Sequence, residues 1–214
     1  MDTGADPDDA MPQLEFIFLG GNLALDLVNT RRSRRVPGSW RIIQFDQLWN
    51  REQLADWWTA ACGEYGLESQ HYYWSDDDAR LLTAFRAELR SLFDSIIEGR
   101  QQPPDPPLLN TILARGRLSV SLLGDRPRRI YAPRDGSADP LLAIALAASQ
   151  ILAESDLSRL RGCRSERCTS LFYDTSRGGT RQWCRPECMN RSRARANYRR
   201  IGRGEAGGTR GNGP

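Results

Sequence analysis

The sequence predicts a mainly helical α+β fold, and three observations lead to this class. Apolar residues recur at helical spacing through most of the first 155 residues. Residues 117–133 instead alternate apolar and polar side chains around a Gly-Asp-Arg-Pro turn. Four of the five cysteines form two close pairs between Cys163 and Cys188. We therefore expect a helical N-terminal body with a small β-hairpin, followed by a C-terminal treble-clef-like metal finger made of a knuckle, a hairpin and a helix.

Length and composition bound the class of protein. The 214 residues, 39% of them apolar and 27% charged, suffice for one globular domain plus a small module. No apolar run is as long as a membrane span, and the acidic N-terminus lacks a signal-peptide core, so we expect a cytoplasmic protein with no membrane partner. Either Met1 or Met11 could be the start. The expected divisions are a disordered leader (1–13), the body (14–155), the finger (156–201) and a disordered tail (202–214).

Helix signals are frequent in the body. Ser75 and Asp78 form a capping-box pattern at the start of the clearest helix, 76–98. A helix over 140–154 is apolar on nearly all sides and should be the buried central helix. The basic stretch 31–40 is expected to be a loop that ends in a Pro-Gly turn. Further helices are expected at 21–30 with Asn22 as N-cap, at 46–62 between Asp46 as N-cap and Gly63, from Asp105-Pro106 onward, and as a short turn over 156–161.

The clustered cysteines have the spacing of a zinc site. Cys163-x4-Cys168 and Cys184-x3-Cys188 are separated by fifteen residues, and four thiolates would complete a tetrahedral Zn²⁺ shell. Because such a closed site is structural, the expected cofactor is one structural zinc ion. Disulfides, which require an oxidising compartment, and unrelated free thiols are the alternatives. Cys62 lies on the apolar face of a predicted helix and is interpreted as a core thiol.

Local patterns predict the remaining parts of the finger. The segment LFYDTSRGGTRQW indicates a strand, a tight turn at Gly178-Gly179 and a second strand. Pro186 and Glu187 suit the first turn of a helix that meets no breaker until Gly202. The residues expected to pack this helix toward the body are Met189, Ala196 and Tyr198.

Positive charge is concentrated at the C-terminal end. From Arg159 onward the chain has 14 arginines against four acids, whereas the first 158 residues have 16 arginines against 23 acids. This split suggests a polyanion partner, and a basic helix has suitable dimensions for the major groove of duplex DNA. The alternative is a basic helix that only solubilises the finger. The candidate DNA-binding residues are Arg177, Arg181, Arg185, Asn190, Arg191, Arg193, Arg195, Arg199 and Arg200.

Two stretches resemble known families. The stretch LFYDTSR…WC…C-x-N-R resembles the CGNR zinc finger. The stretch GGNLALDLVNT resembles the ABATE domain. That domain precedes the finger in bacterial proteins regarded as stress-induced transcription regulators. The resemblance covers nearly the whole chain apart from its tails. It implies a zinc-binding and DNA-binding C-terminal module. It places zinc ligation on Cys163, Cys168, Cys184 and Cys188, and the motif that names the finger on Cys188, Asn190 and Arg191. The chain departs from the family at Met189, which replaces Gly, and at Gly178-Gly179, which replaces a more polar hairpin tip.

Two polar residues interrupt an apolar stretch of the body. If that face is buried, Asp26 and Asn29 need hydrogen-bond partners. They belong either to a structural network or to a small-molecule pocket, for which they are the candidate residues. Trp49, Trp57 and Trp58 either line such a pocket or pack in the core or at an interface.

These features favour a zinc-finger transcription regulator whose C-terminal basic helix contacts duplex DNA. Its body would then sense a small-molecule effector or form a homodimer. The alternative is a nucleic-acid-associated adaptor whose finger binds RNA or a protein partner. An enzyme has no support in the sequence, because it contains no Cys-His pairing, no Gly-rich phosphate loop and no open metal site.

Overall fold

The computed structural model describes residues 16–35, 42–67, 72–100, 104–121, 128–166 and 168–206. Among these residues, a 3₁₀ turn spans Leu157–Arg159 and directly precedes the strand that begins at Leu160. The helices are α1 (Leu23–Asn29), α2 (Arg51–Tyr65), α3 (Asp76–Ile97), α4 (Pro107–Leu113), α5 (Pro140–Glu154) and α6 (Pro186–Ala206). The strands pair antiparallel as β1 (Arg31–Arg35) with β2 (Ile42–Asp46), β3 (Gly116–Ser121) with β4 (Arg128–Pro133), and β5 (Leu160–Gly162) with β6 (Leu171–Tyr173). The predicted fold class, α+β and mainly helical, is confirmed, and no helix within the described ranges is long and apolar enough to cross a membrane.

The centre of the body is formed by α1 and α5. All residues of α1 are buried, and α5 packs against both α1 and α4. Leu141, Ile144 and Ala148 of α5 are buried, which confirms that this helix is the central one. It starts where the sequence predicts, because the Asp139 carboxylate accepts a hydrogen bond of 3.0 Å from the Leu142 amide.

The predicted capping box of α3 is present. Ser75 Oγ accepts a hydrogen bond from the Asp78 amide at 3.1 Å, and the Asp78 carboxylate accepts one from the Ser75 amide at 3.0 Å. Three turns along, Phe85 and Leu89 are fully buried on the side that faces the core. The helix therefore forms with the amphipathic pattern seen in the sequence.

The prediction for α2 was wrong at both ends. Asn50, not Asp46, caps the helix, by accepting a hydrogen bond of 2.8 Å from the Gln53 amide. Asp46 lies in β2 instead, where its carboxylate pairs with Arg86. The helix then continues through Gly63 and ends at Gly66, whose φ of 60° reverses the chain.

The predicted basic loop was wrong over its first five residues, which form β1. Arg31 lies opposite Asp46 and Arg35 opposite Ile42 in the ladder with β2. An arginine-rich run has weak strand propensity, so the pairing depends on a neighbouring strand and not on the local sequence. The rest of that loop (36–40), the leader (1–13), the linker residues 101–103 and the turn of the second hairpin (122–127) lie outside the described residues.

Other boundaries agree with the sequence in part. The second hairpin is confirmed as β3 and β4, and α4 follows Pro106 as expected. The predicted turn over 156–161 is helical only at residues 157–159, since β5 follows directly. Helix α6 continues through Gly202 to Ala206, so the first residues of the expected tail are helical.

The body and the finger strands share one core. Leu160 of β5 and Leu171 of β6 are buried in the same apolar cluster as α1 and α3. The Asn29 side chain donates to the carbonyl of Leu171 and accepts from its amide, both at 2.8 Å. The Tyr173 amide donates to the carbonyl of Gly20 at 2.9 Å. The finger is therefore fixed to α1 and does not hang from a free linker.

Candidate zinc centre and basic helix

The first cysteine pair lies in the turn between β5 and β6. Cys163 directly follows β5, and its amide donates to the carbonyl of Ser170 at 2.9 Å. The Cys168 amide donates to the carbonyl of Ser165 at 2.8 Å, which closes a tight knuckle. The prediction that β6 pairs with the segment after Gly178-Gly179 was wrong. Residues 180–183 are not a strand, because the hydrogen bonds of β6 are made with β5.

Asp174 organises the loop that leads to the second cysteine pair. Its fully buried carboxylate accepts hydrogen bonds from the Ser176 amide and hydroxyl and from the Arg181 amide, at 2.6–2.9 Å. Arg161 lies 3.5 Å from it as an ion-pair partner. Burial raises the pKa of Asp174, but the hydrogen bonds from Ser176 and Arg181 outweigh it and hold the pKa below its usual value. The loop thereby returns the chain to Cys184.

The four sulfur atoms form a compact cluster. Cys163, Cys168, Cys184 and Cys188 have their Sγ atoms within 4.8 Å of one another. Cys184 Sγ is 3.6 Å from the sulfurs of both Cys168 and Cys188. A zinc ion bonded to four sulfurs at about 2.3 Å requires separations of about 3.8 Å, so the donor set fits one tetrahedral zinc ion. Cys62 is buried apart from this cluster in the core of the body.

Donors around the sulfurs suit thiolate ligands. Arg191 Nη2 lies 3.1 Å from Cys188 Sγ, and the Cys184 amide donates to Cys163 Sγ at 3.5 Å. The hydrogen bond between Arg191 and the Cys188 sulfur raises the pKa of Arg191. Since a zinc ion with four thiolates carries two net negative charges, these donors and the N-terminus of α6 offset charge at the centre.

Arg181 has a structural position among the predicted DNA contacts. Its guanidinium lies 4.6 Å from the centre of the buried Phe172 ring. It also donates to the carbonyl of Trp183 at 3.0 Å and to the carbonyl of Cys184. Trp183 in turn donates to Ser192 Oγ at 3.2 Å, which fixes the first turns of α6.

Cys188 sets the rotation of α6 about its axis. Residues three, seven and eleven positions later lie on the same side of a helix as this ligand. These are Arg191, Arg195 and Arg199, and Glu166 of the knuckle pairs with Arg195 at 2.5 Å and with Arg199 at 3.2 Å. The ridge of arginines predicted from the sequence therefore faces the finger itself.

The opposite side of α6 is exposed to solvent. Asn190, Arg193, Asn197 and Arg200 follow one another at i, i+3, i+7 and i+10, which places them on one face. We call these four residues the outer face. In the part of the chain that the structure describes, none of their side chains makes a hydrogen bond or an ion pair. Asn197 is absent from the contacts predicted from the sequence, although its helical spacing from Asn190 and Arg193 could have identified it.

The expected packing of α6 on the body was wrong for two of three residues. Met189 is half-buried, but Ala196 is exposed and Tyr198 is 82% exposed. The described side chains of this half of α6, from Ala196 to Ile201, are all exposed. Of the remaining arginines, Arg177 is exposed at the tip of the loop, and Arg185 pairs with Glu187 at 3.7 Å.

Asp26 and Asn29 are both buried and both hydrogen-bonded within the protein. Asp26 accepts from the amides of Leu19 and Gly20 at 2.7 Å and from the Tyr65 hydroxyl. Burial raises the pKa of Asp26 in spite of these bonds. Asn29 joins α1 to β6, as described above. These contacts favour the structural interpretation of the pair. Of the tryptophans, Trp57 and Trp58 are core residues and Trp49 is exposed.

A helical body joined to a finger with four clustered thiols defines a zinc-finger protein. The chain belongs to the ABATE family, whose model, described as a putative stress-induced transcription regulator, matches residues 21–155. The model of the CGNR zinc finger matches residues 159–201. No curated protein sequence matches the chain significantly. The family resemblance and the zinc cofactor predicted from the sequence are thereby confirmed.

Proposed function

We propose that this protein is a transcription regulator that binds duplex DNA through the outer face of α6. The observation that carries the proposal is this face itself, a row of two exposed asparagines and two exposed arginines on one side of α6. In this proposal residues 14–155 form a body that senses an effector or dimerises, and residues 156–201 form the DNA-binding finger.

The chemistry of the outer face suits the major groove. Arginine donates two hydrogen bonds to guanine, and asparagine bonds adenine through two atoms of its amide. The 21 residues of α6 make a helix about 31 Å long. Its diameter with side chains, about 10–12 Å, matches the width of that groove, about 12 Å. Asn190, Arg193, Asn197 and Arg200 would then contact bases over about three helical turns.

The inner ridge would position the helix on the DNA backbone. Arg195 and Arg199 share the single carboxylate of Glu166, which leaves one positive charge uncompensated. Their side chains remain 40% and 59% exposed, so phosphates of the DNA backbone could approach them beside the groove. Arg177 at the loop tip and Arg185 near the helix start would add contacts to the DNA backbone. Arg181 and Arg191 instead make hydrogen bonds within the finger.

The test is selection of bound sequences from random duplex DNA by the full zinc-loaded chain. Enrichment of one motif is expected, and no enriched motif, or a preference for RNA, would overturn the proposal. With the selected duplex, Arg193→Ala should cost about 1–3 kcal/mol and relax specificity at one base pair. The matched control is Arg117→Ala, which removes an equally exposed arginine from the body hairpin and should leave affinity unchanged.

A further inference from the structure

Apolar side chains alternate with asparagines along one side of α6. Asn190, Ala194, Asn197 and Ile201 are spaced at i, i+4, i+7 and i+11, which places all four on one side of the helix. We call these four residues the mixed stripe. All four are exposed to solvent. Ile201 is 59% exposed, although isoleucine is among the residues that proteins most often bury.

The helix around the mixed stripe carries only positive charge. From Cys188 to Ile201 the chain has five arginines and no acidic residue. Arg193 and Arg200 border the stripe and belong to the outer face, whose side chains make no ion pair within the described ranges. An occupant that fits this side of α6 must therefore be anionic, and it must also present apolar groups to Ala194 and Ile201.

Thymine methyl groups are the apolar groups that duplex DNA presents in its major groove. Each A·T base pair shows there the N6 and N7 atoms of adenine, which asparagine bonds through its amide, and the methyl group of thymine, which apolar side chains contact. The alternation of asparagine with alanine and isoleucine matches both features. The mixed stripe is about 16 Å long, which corresponds to about five base pairs at a rise of about 3.4 Å.

RNA and protein partners fit the mixed stripe less well than duplex DNA. Uracil lacks the methyl group, and the major groove of an RNA helix is too deep and narrow for side chains to read. A stable protein interface buries about 800 Å² on each partner and has an apolar core, for which Ala194 and Ile201 alone are too small. The exposed apolar residues of the stripe thus favour DNA that contains thymine.

We infer that α6 recognises A·T base pairs in the major groove through the mixed stripe. Asn190 and Asn197 would bond adenines, and Ala194 and Ile201 would contact the methyl groups of thymines. The inference rests on the proposed function and names the class of duplex that α6 reads. The arginines of the outer face would then contact guanines or phosphates that flank these A·T pairs.

The test measures binding of the full zinc-loaded chain, by fluorescence anisotropy, to two short DNA duplexes. One duplex alternates adenine and thymine, and the other has deoxyuridine in place of every thymine, so the two differ only in the methyl groups. Loss of one buried methyl group should weaken binding about fourfold, and loss of two about tenfold or more. Ile201→Ser should reduce the preference for thymine about fourfold and leave the affinity for the uracil duplex nearly unchanged. Ala196→Ser is the control, because Ala196 is exposed on the same helix but lies off the stripe.

Two outcomes would overturn the inference: equal binding of the thymine and uracil duplexes, and an Ile201→Ser variant that prefers thymine as strongly as the Ala196→Ser control. The same measurement separates this inference from the proposed function. A chain that binds neither duplex refutes the proposed function and the inference together. A chain that binds both duplexes equally refutes the inference alone, and the occupant of the stripe would then be an acidic protein surface.

Discussion

Replacement of Asn29 by alanine should uncouple the finger from the body. The side chain of Asn29 is buried, and it makes hydrogen bonds of 2.8 Å with both the amide and the carbonyl of Leu171. Asn29→Ala would leave one buried donor and one buried acceptor without partners. Each such group costs about 1–3 kcal/mol, so we expect a loss of about 3 kcal/mol in the free energy of unfolding. For a chain of this length, that loss corresponds to a fall in Tm of roughly 6–12 °C.

The assay is urea unfolding of the zinc-loaded chain, followed by far-UV circular dichroism and by tryptophan fluorescence. Asn190→Ala is the control, because Asn190 is exposed on the outer face and its removal should change stability by less than about 0.5 kcal/mol. An Asn29→Ala protein as stable as the Asn190→Ala protein would refute the reasoning, since the joint would then depend on apolar packing alone.

Three further predictions concern the metal, the loop and the basic helix. Metal analysis of the purified chain should find about one zinc per chain, and Cys184→Ser should lower this content; a folded metal-free protein with four thiols would contradict it. Hydrogen bonds hold the pKa of Asp174 below its usual value despite burial, so the stability it provides is present above about pH 4 and is lost as the pH falls through the lower folded value. The difference in unfolding free energy between the wild type and Asp174→Asn should therefore shrink only below about pH 4, and a difference that stays constant to pH 3 argues against this assignment. Glu166→Gln frees Arg195 and Arg199 and should tighten duplex binding roughly twofold to fivefold in fluorescence anisotropy, whereas weaker binding would show that the ion pairs are needed for the fold of the finger.

The elements that the sequence predicts correctly are those with local causes. The capping box at Ser75 and the Asp139-Pro140 start of α5 depend on residues within one helical turn, so their positions follow from the sequence alone. Strand β1 was missed, because an arginine-rich run forms a strand here only through its partner β2. The partner of β6 was misassigned for a related reason: the turn that holds Cys163 and Cys168 brings β6 back beside β5, so the glycine turn does not decide the pairing.

The zinc ligands were evident in the sequence, but the roles of the arginines were not. Spacing alone places Arg191, Arg195 and Arg199 on one ridge, and it leaves open which way the ridge faces. Cys188 lies on that same ridge, and a metal ligand must face the finger. The ridge of arginines therefore faces the finger as well. The outer face, with Asn197, follows from the same geometry applied to the opposite side of α6.

The shared core limits how freely this finger can be exchanged for another. The two family matches meet near residue 158, which invites the view that a body and a finger were joined as separate parts. Yet Leu160 and Leu171 lie after that point and are buried among residues of the body. A body cut at residue 155 would expose the apolar surface that they cover. A finger taken from another member of the family would have to present a backbone amide and carbonyl to Asn29. Substitutions on the two sides of this seam should therefore occur together in evolution, even though the outer face of α6 can vary independently.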